Sequence, residues 1–347
     1  LVEKNQKLAS IQVLRFVAAA SVLVHNAILY VAPFEQIQYA SAIAAWSNIG
    51  AAGVHIFFVI SGLVMAYTAY DAFGVPNAAR SFLWRRIIRI YPIYWIAAAS
   101  YLVAKVALGQ FWIGAGETLG ALLLVPGMAS SIIVPGWTLA YEMIFYLIFA
   151  GLLIFPRSLA LTLITIAFPT MIVLGRLLGA ETWGEVAKHL TSPLLIEFLI
   201  GVWFGWVLRA GKTPQWATRR WVFPAGCLTA GLMLIASPLL TAQGIPDVVS
   251  MGPGSALLVA VFAVSERPWF TNIAWLGESS YALYLIHQLP MIILTVGAPS
   301  LFVTGYLGFG GAITILCILA LVLAIPLYVF VERPLLAWMK WKAGRRK

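Results

Sequence analysis

The chain alternates between long apolar stretches and short turns that are polar or rich in Gly and Pro. Ten stretches stand out: 11–31, 49–70, 87–108, 137–155, 158–178, 192–210, 221–240, 253–266, 279–297 and 306–331. A helix crossing a bilayer needs about 20 predominantly apolar residues, and most of these stretches supply them. The eighth is short and flanked by Gly and Pro. A further apolar segment, Thr118 to Pro126, is too short to span and is expected to form a re-entrant or interfacial helix. The expected fold is therefore all-α: a polytopic membrane helix bundle of about ten transmembrane helices. No segment is long or polar enough to form a separate soluble domain. Residues 1–347 are read as one integral-membrane domain, with no internal repeat.

Composition agrees with this reading. Hydrophobic residues make up 62% of the 347 and charged residues 10%, against about 25% charged in a soluble domain. The net charge of +10 could suggest nucleic-acid binding, but its distribution points elsewhere. With the N-terminus in the cytoplasm, 19 of the 22 Lys and Arg residues fall on the cytoplasmic side. Only Lys105, Arg176 and Lys188 fall outside. Such a bias is the positive-inside signature. It predicts a multi-pass protein of the cytoplasmic membrane with both termini cytoplasmic, the bilayer as a partner and no nucleic acid. Cys227 and Cys317 both lie in apolar stretches and give neither metal-ligand spacing nor a disulfide framework. No metal is expected. The first span is too long for a signal-peptide core and is expected to be retained. The chain opens on Leu, so an initiator is expected upstream.

Chemistry is expected where ionisable groups enter the apolar stretches, because such groups usually face a partner or a water-filled cavity. The first span carries Arg15 and His25. The second carries His55, and Ser61 near its middle. No Gly-x-Ser-x-Gly elbow surrounds Ser61, which is expected to bond back to its own helix. At the inner mouth of the third span stand Arg85, Arg86 and Arg89, with Trp84, Tyr91, Tyr94 and Trp95 read as an aromatic belt. Three guanidiniums on one helical turn suit phosphate, since each can bond it bidentately. The fourth span enters after Pro135-Gly136, with Trp137 near its start. Glu142 lies inside it and needs a partner, expected to be His25 or His55. In the ninth span Ser280, Tyr284 and His287 share one face. Glu197 is a buried-looking acid with no assigned role. Glu332 and Arg333 are expected to pair with each other.

Taken together, these stretches resemble the acyltransferase family 3 membrane proteins. The matching pieces are the Arg15/His25 helix, FFVISGL at 57–63, RRIIRIYP at 85–92, PGWTLAYEMIFY at 135–146, LGESSYALYLIH at 276–287 and ERP at 332–334. They run nearly end to end in the family's order, and the WTL-x-YEM form resembles the exopolysaccharide O-acetyltransferase branch. The resemblance implies an enzyme that moves an acyl group, acetyl by this reading, from cytoplasmic acyl-CoA to a sugar hydroxyl. Acyl-CoA is then a donor substrate and no cofactor is permanently bound. The acceptor is a cell-surface or exopolysaccharide sugar, lipid-linked in one version. The resemblance makes His25 catalytic and places Arg86 and Arg89 in the donor site. Polysaccharide-assembly proteins or a second copy of the chain are conceivable partners. One departure stands out: nine residues separate Arg15 from His25, where the family commonly has ten. At 100° per residue the two side chains then lie about 80° apart, unless a bulge near residues 18–21 realigns them. The family's additional hydrolase-like domain is not among these residues, so a second transfer across the membrane would need another protein.

On this reading coenzyme A docks its phosphates on Arg85, Arg86 and Arg89, with Arg15 in the same donor-binding group. His25, oriented by Glu142 or by a backbone group, takes the hydroxyl proton. His55, Ser61, Trp137, Tyr284 and His287 line the site. The rival from another class is a transporter or flippase of a lipid-linked sugar. Transporters often carry inverted repeats and paired broken helices, and no such symmetry is found in the sequence. A structural subunit of a polysaccharide assembly complex would require neither the arginines nor His25.

Overall fold

A computed structural model describes residues 2–34, 47–110, 113–265, 267–303 and 308–344. The start of the tenth apolar stretch, residue 266, and the basic residues Arg345, Arg346 and Lys347 lie outside the described residues. Among those described, the regular secondary structure is helical throughout, without strands. The principal helices are α1 (Val2–Val31), α2 (Ala52–Ala69), α3 (Ala78–Ala107), α4 (Ala115–Leu122), α5 (Gly136–Leu152), α6 (Arg157–Leu177), α7 (Glu185–Leu190) and α8 (Leu195–Arg209). They continue with α9 (Val222–Thr241), α10 (Gly252–Val264), α11 (Pro268–Glu278), α12 (Ser280–Ile286), α13 (Gln288–Gly297), α14 (Gly308–Pro326) and α15 (Arg333–Gly344).

Seven helical runs among the described residues are long and apolar enough to cross a membrane: Ala9–Phe34, Asn48–Ala69, Ala78–Ala107, Arg157–Leu177, Val222–Thr241, Pro268–Gly297 and Gly308–Trp338. The other three expected spans are helices, but short ones: α5 has 17 residues, α8 has 15 and α10 has 13. At 1.5 Å per residue these reach about 20–26 Å, less than the ~30 Å hydrocarbon core. Seven of the ten expected spans thus have the length of a full crossing, and the other three are shorter helices between them.

Small residues set the packing. In lipid, helix association rests on close van der Waals contact rather than on hydrophobic transfer. The most extensive pair is α2 with α8, which run parallel. Gly62 faces the backbone of Phe198 and Val202, while Gly201 faces that of Val59 and Leu63. A Cβ at either position would strike a carbonyl oxygen. Further along, Arg209 reaches Asp71 at 2.7 Å, so the two helices keep register over their whole length. Elsewhere α10 lies antiparallel to α9, with Gly226 against Val261 and Gly254 against Leu234. The run from α11 to α13 lies parallel to α1, with Gly277 on Gln12 and Gln288 bonded to Asn26 at 2.7 Å. That run is also the most buried of the seven.

The expected short segment has the shape of a re-entrant loop. From the end of α3 the chain turns back and α4 descends beside α3 to its middle. It returns through turns to Ser131 and Ile132, whose carbonyls bond Lys105 at 3.2 and 3.0 Å. Backbone of this kind is tolerated at depth only where protein satisfies it. Here the last α4 carbonyls and the next one accept side-chain donors from α3: Tyr94 to Ala121 at 2.7 Å, Trp95 to Leu122 at 2.9 Å and Tyr91 to Leu123 at 3.0 Å. These three aromatics therefore satisfy carbonyls that a helix end otherwise leaves without partners. Trp84, exposed, remains free to anchor.

Gly201→Val should break the α2–α8 contact, because the added side chain meets the Val59 carbonyl. Overpacking of this kind costs about 1–3 kcal/mol or more. The control is Gly231→Ala, a helical site where a Cβ meets nothing within 4 Å. Thermal unfolding in detergent should show a lowered midpoint for the first variant and none for the second.

Candidate functional site

A concave site lies between α1, α2, α3, α5 and α12, as a cavity of about 90 Å³. Its inner end is cationic. Arg15 enters from α1, and Arg86 and Arg89 from α3. Arg86 stacks over the rings of Phe82 and Tyr146, 5.2 Å from each centroid, which fixes the guanidinium plane without using its N–H donors. Among the described residues neither Arg86 nor Arg89 donates to a protein acceptor, and Arg15 meets only Gln12, at 3.3 Å. Arg85 points elsewhere. It is exposed, bonds Ser81 at 2.5 Å and does not line the cavity.

One acid faces these cations. Glu142 Oε1 accepts from Ser61 at 2.8 Å and also from Tyr146. Ser61 thus bonds across to α5 and not back to its own helix. Glu142 forms no hydrogen bond with His25 or His55, so the expected acid–imidazole pair does not exist. The physical reason is facing. Glu142 shares one side of α5 with Thr138 and Tyr146, four residues away in each direction, and that side looks onto the arginines. The same spacing in the sequence would have identified Thr138 and Tyr146, which were missed. A second acid, Glu332, is buried at 2% exposure. It lies within electrostatic range of Arg15 and Arg89 and forms no ion pair with Arg333.

The cavity's outer end is apolar. It is walled by Val54, Phe57, Phe58 and Leu139, and its polar groups there are the hydroxyls of Thr138 and Tyr284. These two hydroxyls bond each other at 2.8 Å.

The histidines lie outside this cavity. His25 is half-buried, with Nδ1 at 2.9 Å from the Ser47 carbonyl. A carbonyl only accepts, so Nδ1 carries the hydrogen and Nε2 the lone pair. His287 has the same tautomer for the same reason, with Nδ1 at 2.8 Å from the Tyr284 carbonyl. Its buried Nε2 has no partner among the described residues, and it sits close enough to His25 to sense its charge. His55 belongs to a different centre. Its Nδ1 lies 2.6 Å from Glu197, buried between α2 and α8, which gives the unassigned acid its role. Trp137 also stays off the cavity. It packs edge-on against Tyr141, whose other face stacks on His189 at 4.1 Å. Burial pushes the His189 pKa down, so that ring is neutral. α1 runs unbroken through residues 18–21. No bulge realigns Arg15 with His25, and the two serve different sides of the bundle core.

Comparison with known proteins adds an independent line. The family model described as "Acyltransferase domain" matches residues 8–329. The chain is 30% identical to the exopolysaccharide production protein ExoZ of Rhizobium meliloti (strain 1021), over 83% of this chain and 90% of that one. It is 26% identical to the acyltransferase MdmB of Streptomyces mycarofaciens, over 73% of this chain and 71% of that one. No solved structure matches significantly.

The His55–Glu197 pair is expected to be structural. Removing one partner of a buried pair costs about 3–5 kcal/mol, so Glu197→Leu alone should sharply reduce the yield of folded protein. His55→Leu combined with Glu197→Leu should recover part of that loss. Detergent-solubilised yield and melting measure both, and additive losses in the double variant would contradict the pairing.

Proposed function

The chain belongs to the acyltransferase domain family, and from that premise we propose that it is a membrane-embedded, acyl-CoA-dependent O-acyltransferase. In this reading it moves an acetyl group to a hydroxyl of a cell-surface or exopolysaccharide sugar, lipid-linked in form. The observation that carries the reading is the cluster of Arg15, Arg86 and Arg89 at the inner end of the cavity, with the α3 pair engaged by no protein acceptor. Cations held this way inside a bundle need an anion. The phosphates of coenzyme A supply one, and each guanidinium can meet them bidentately. A relative described as an exopolysaccharide production protein supports the choice of acceptor.

Coenzyme A enters from the inner side, its phosphates on the arginines and its thioester rising past Glu142 toward the apolar end. His25 takes the proton of the acceptor hydroxyl on Nε2 while the Ser47 carbonyl holds Nδ1–H. The hydroxyl oxygen attacks the thioester carbon, the C–S bond breaks, and the proton passes on to the departing thiolate. Glu142, fixed by Ser61 and Tyr146, balances the arginines and holds their spacing. The rival transporter reading gains nothing from the fold, whose helices pair without an evident repeat.

Helix directions support ten crossings with both ends on one side. α8 and α10 run parallel to α2, and the run from α11 to α13 runs parallel to α1. Strict alternation through ten passes gives that pattern. The positive-inside bias then puts both ends in the cytoplasm and the protein in the inner membrane. Polysaccharide-assembly proteins or a second copy remain partners in this proposal.

Four measurements test it. In a chain freed of its native cysteines, Cys introduced at Gln243 should label only from outside and Cys at Arg80 only from inside. Labelling of both from one side would end the ten-pass reading. Purified protein should release or transfer the acetyl group of labelled acetyl-CoA. His25→Gln should fold, bind donor and lose about 10²–10⁴-fold in turnover. Arg86→Lys should weaken donor binding, since a charged hydrogen bond is worth about 1.5–3 kcal/mol. Near-normal transfer by folded His25→Gln would refute the mechanism.

A further inference from the structure

We propose that Tyr284, tied to Thr138 and backed by Phe57, is the end wall of the donor chamber and limits the transferred group to a short acyl chain. The proposal rests on the donor reading above and deepens it by naming the residues that set the length of the acyl chain.

The cavity is polarised along its length. It follows α2 from Val64 to Val54, ten residues or about 15 Å at the helical rise. The arginines stand at one end, and only apolar side chains and two hydroxyls stand at the other. A donor anchored by phosphate must therefore point its acyl group at the apolar end.

That end is closed by a fixed group. Thr138 Oγ1 donates to the Pro135 carbonyl at 2.8 Å and so must accept from the Tyr284 hydroxyl, also at 2.8 Å. Phe57 meets the Tyr284 ring edge-on at 5.5 Å. The wall is thus held from α2, α5 and α12 at once, and both hydroxyl-bearing residues are buried. Tyr284 also has a second attachment behind it. Its carbonyl holds His287, whose ring lies 6.0 Å from its own, and His287 neighbours His25.

Chain length follows from this placement. An acetyl group lets the thioester carbon advance to the wall. Each further methylene needs space that Phe57 and Tyr284 occupy, so a longer chain holds the thioester back toward the arginines. Discrimination by one methylene in an apolar pocket is about 10–200-fold.

The test uses purified full-length protein, following coenzyme A thiol release from acetyl-, butyryl- and octanoyl-CoA. The parent should favour acetyl-CoA over octanoyl-CoA by at least about tenfold. Phe57→Ala and Tyr284→Leu should each raise the octanoyl-to-acetyl rate ratio by about tenfold or more. Thr138→Val, which frees the Tyr284 hydroxyl without changing volume, should raise it less. A ratio taken on one preparation does not depend on how much protein folds. A parent that uses octanoyl-CoA as fast as acetyl-CoA overturns the proposal, as does an unchanged ratio in Phe57→Ala and Tyr284→Leu. Failure of the donor reading has a separate signature: a parent that binds no coenzyme A overturns both.

Discussion

Charge held inside a bundle whose outer solvent is hydrocarbon constrains this molecule more than any other feature. A guanidinium in such a place must find water, an acid, an aromatic face or a ligand. Arg86 has two aromatic faces, Arg15 has Glu142 and Glu332 within electrostatic range, and Arg89 has Glu332. None of these uses up the N–H donors of the α3 pair. The cavity therefore keeps a directional demand for an anion, and the acids limit the cost of holding the cations there. Glu142 can do this only because Ser61 and Tyr146 hold its carboxylate in place. A free acid on a flexible side chain would collapse onto the arginines and close the site.

Much of this was legible in the sequence, and the failures have physical causes. The ten apolar stretches and the re-entrant segment all reappear as helices, because apolar content and Gly/Pro punctuation act locally. Arg15, Arg86, Arg89, Ser61, Glu142 and Tyr284 were each identified and the fold brings them to one cavity. Partner choice was not legible. Glu142 was expected on a histidine, and Glu197 had no role. Which acid meets which imidazole depends on whether α5 or α8 lies against the outer half of α2, and a one-dimensional pattern does not carry helix neighbours. Tyr91, Tyr94 and Trp95 look like a belt by composition. Their bonds to the end of α4 depend on a loop folding back against its own predecessor.

Discontinuity in the most buried run serves the same site. The run is broken at Ser279 and His287, and Pro290 has no amide to offer the Ile286 carbonyl. Between the breaks lies a seven-residue piece, α12, which carries two cavity tyrosines. Tyr281 bonds the Ile90 carbonyl at 2.9 Å while Tyr284 bonds Thr138. Three residues apart, the two tyrosines share a face of α12, and both line the cavity.

The parallel pairing of α2 with α8 also bears on biosynthesis. His55 and Glu197 are 142 residues apart, and a ribosome adds about 5–20 residues per second. α2 therefore spends on the order of ten seconds in the bilayer before its partner exists. Through that interval its glycine groove is filled by lipid or by a temporary neighbour, and His55 is without its acid. The bundle cannot be assembled strictly in the order of its helices, and its centre closes only after more than half the chain has been made.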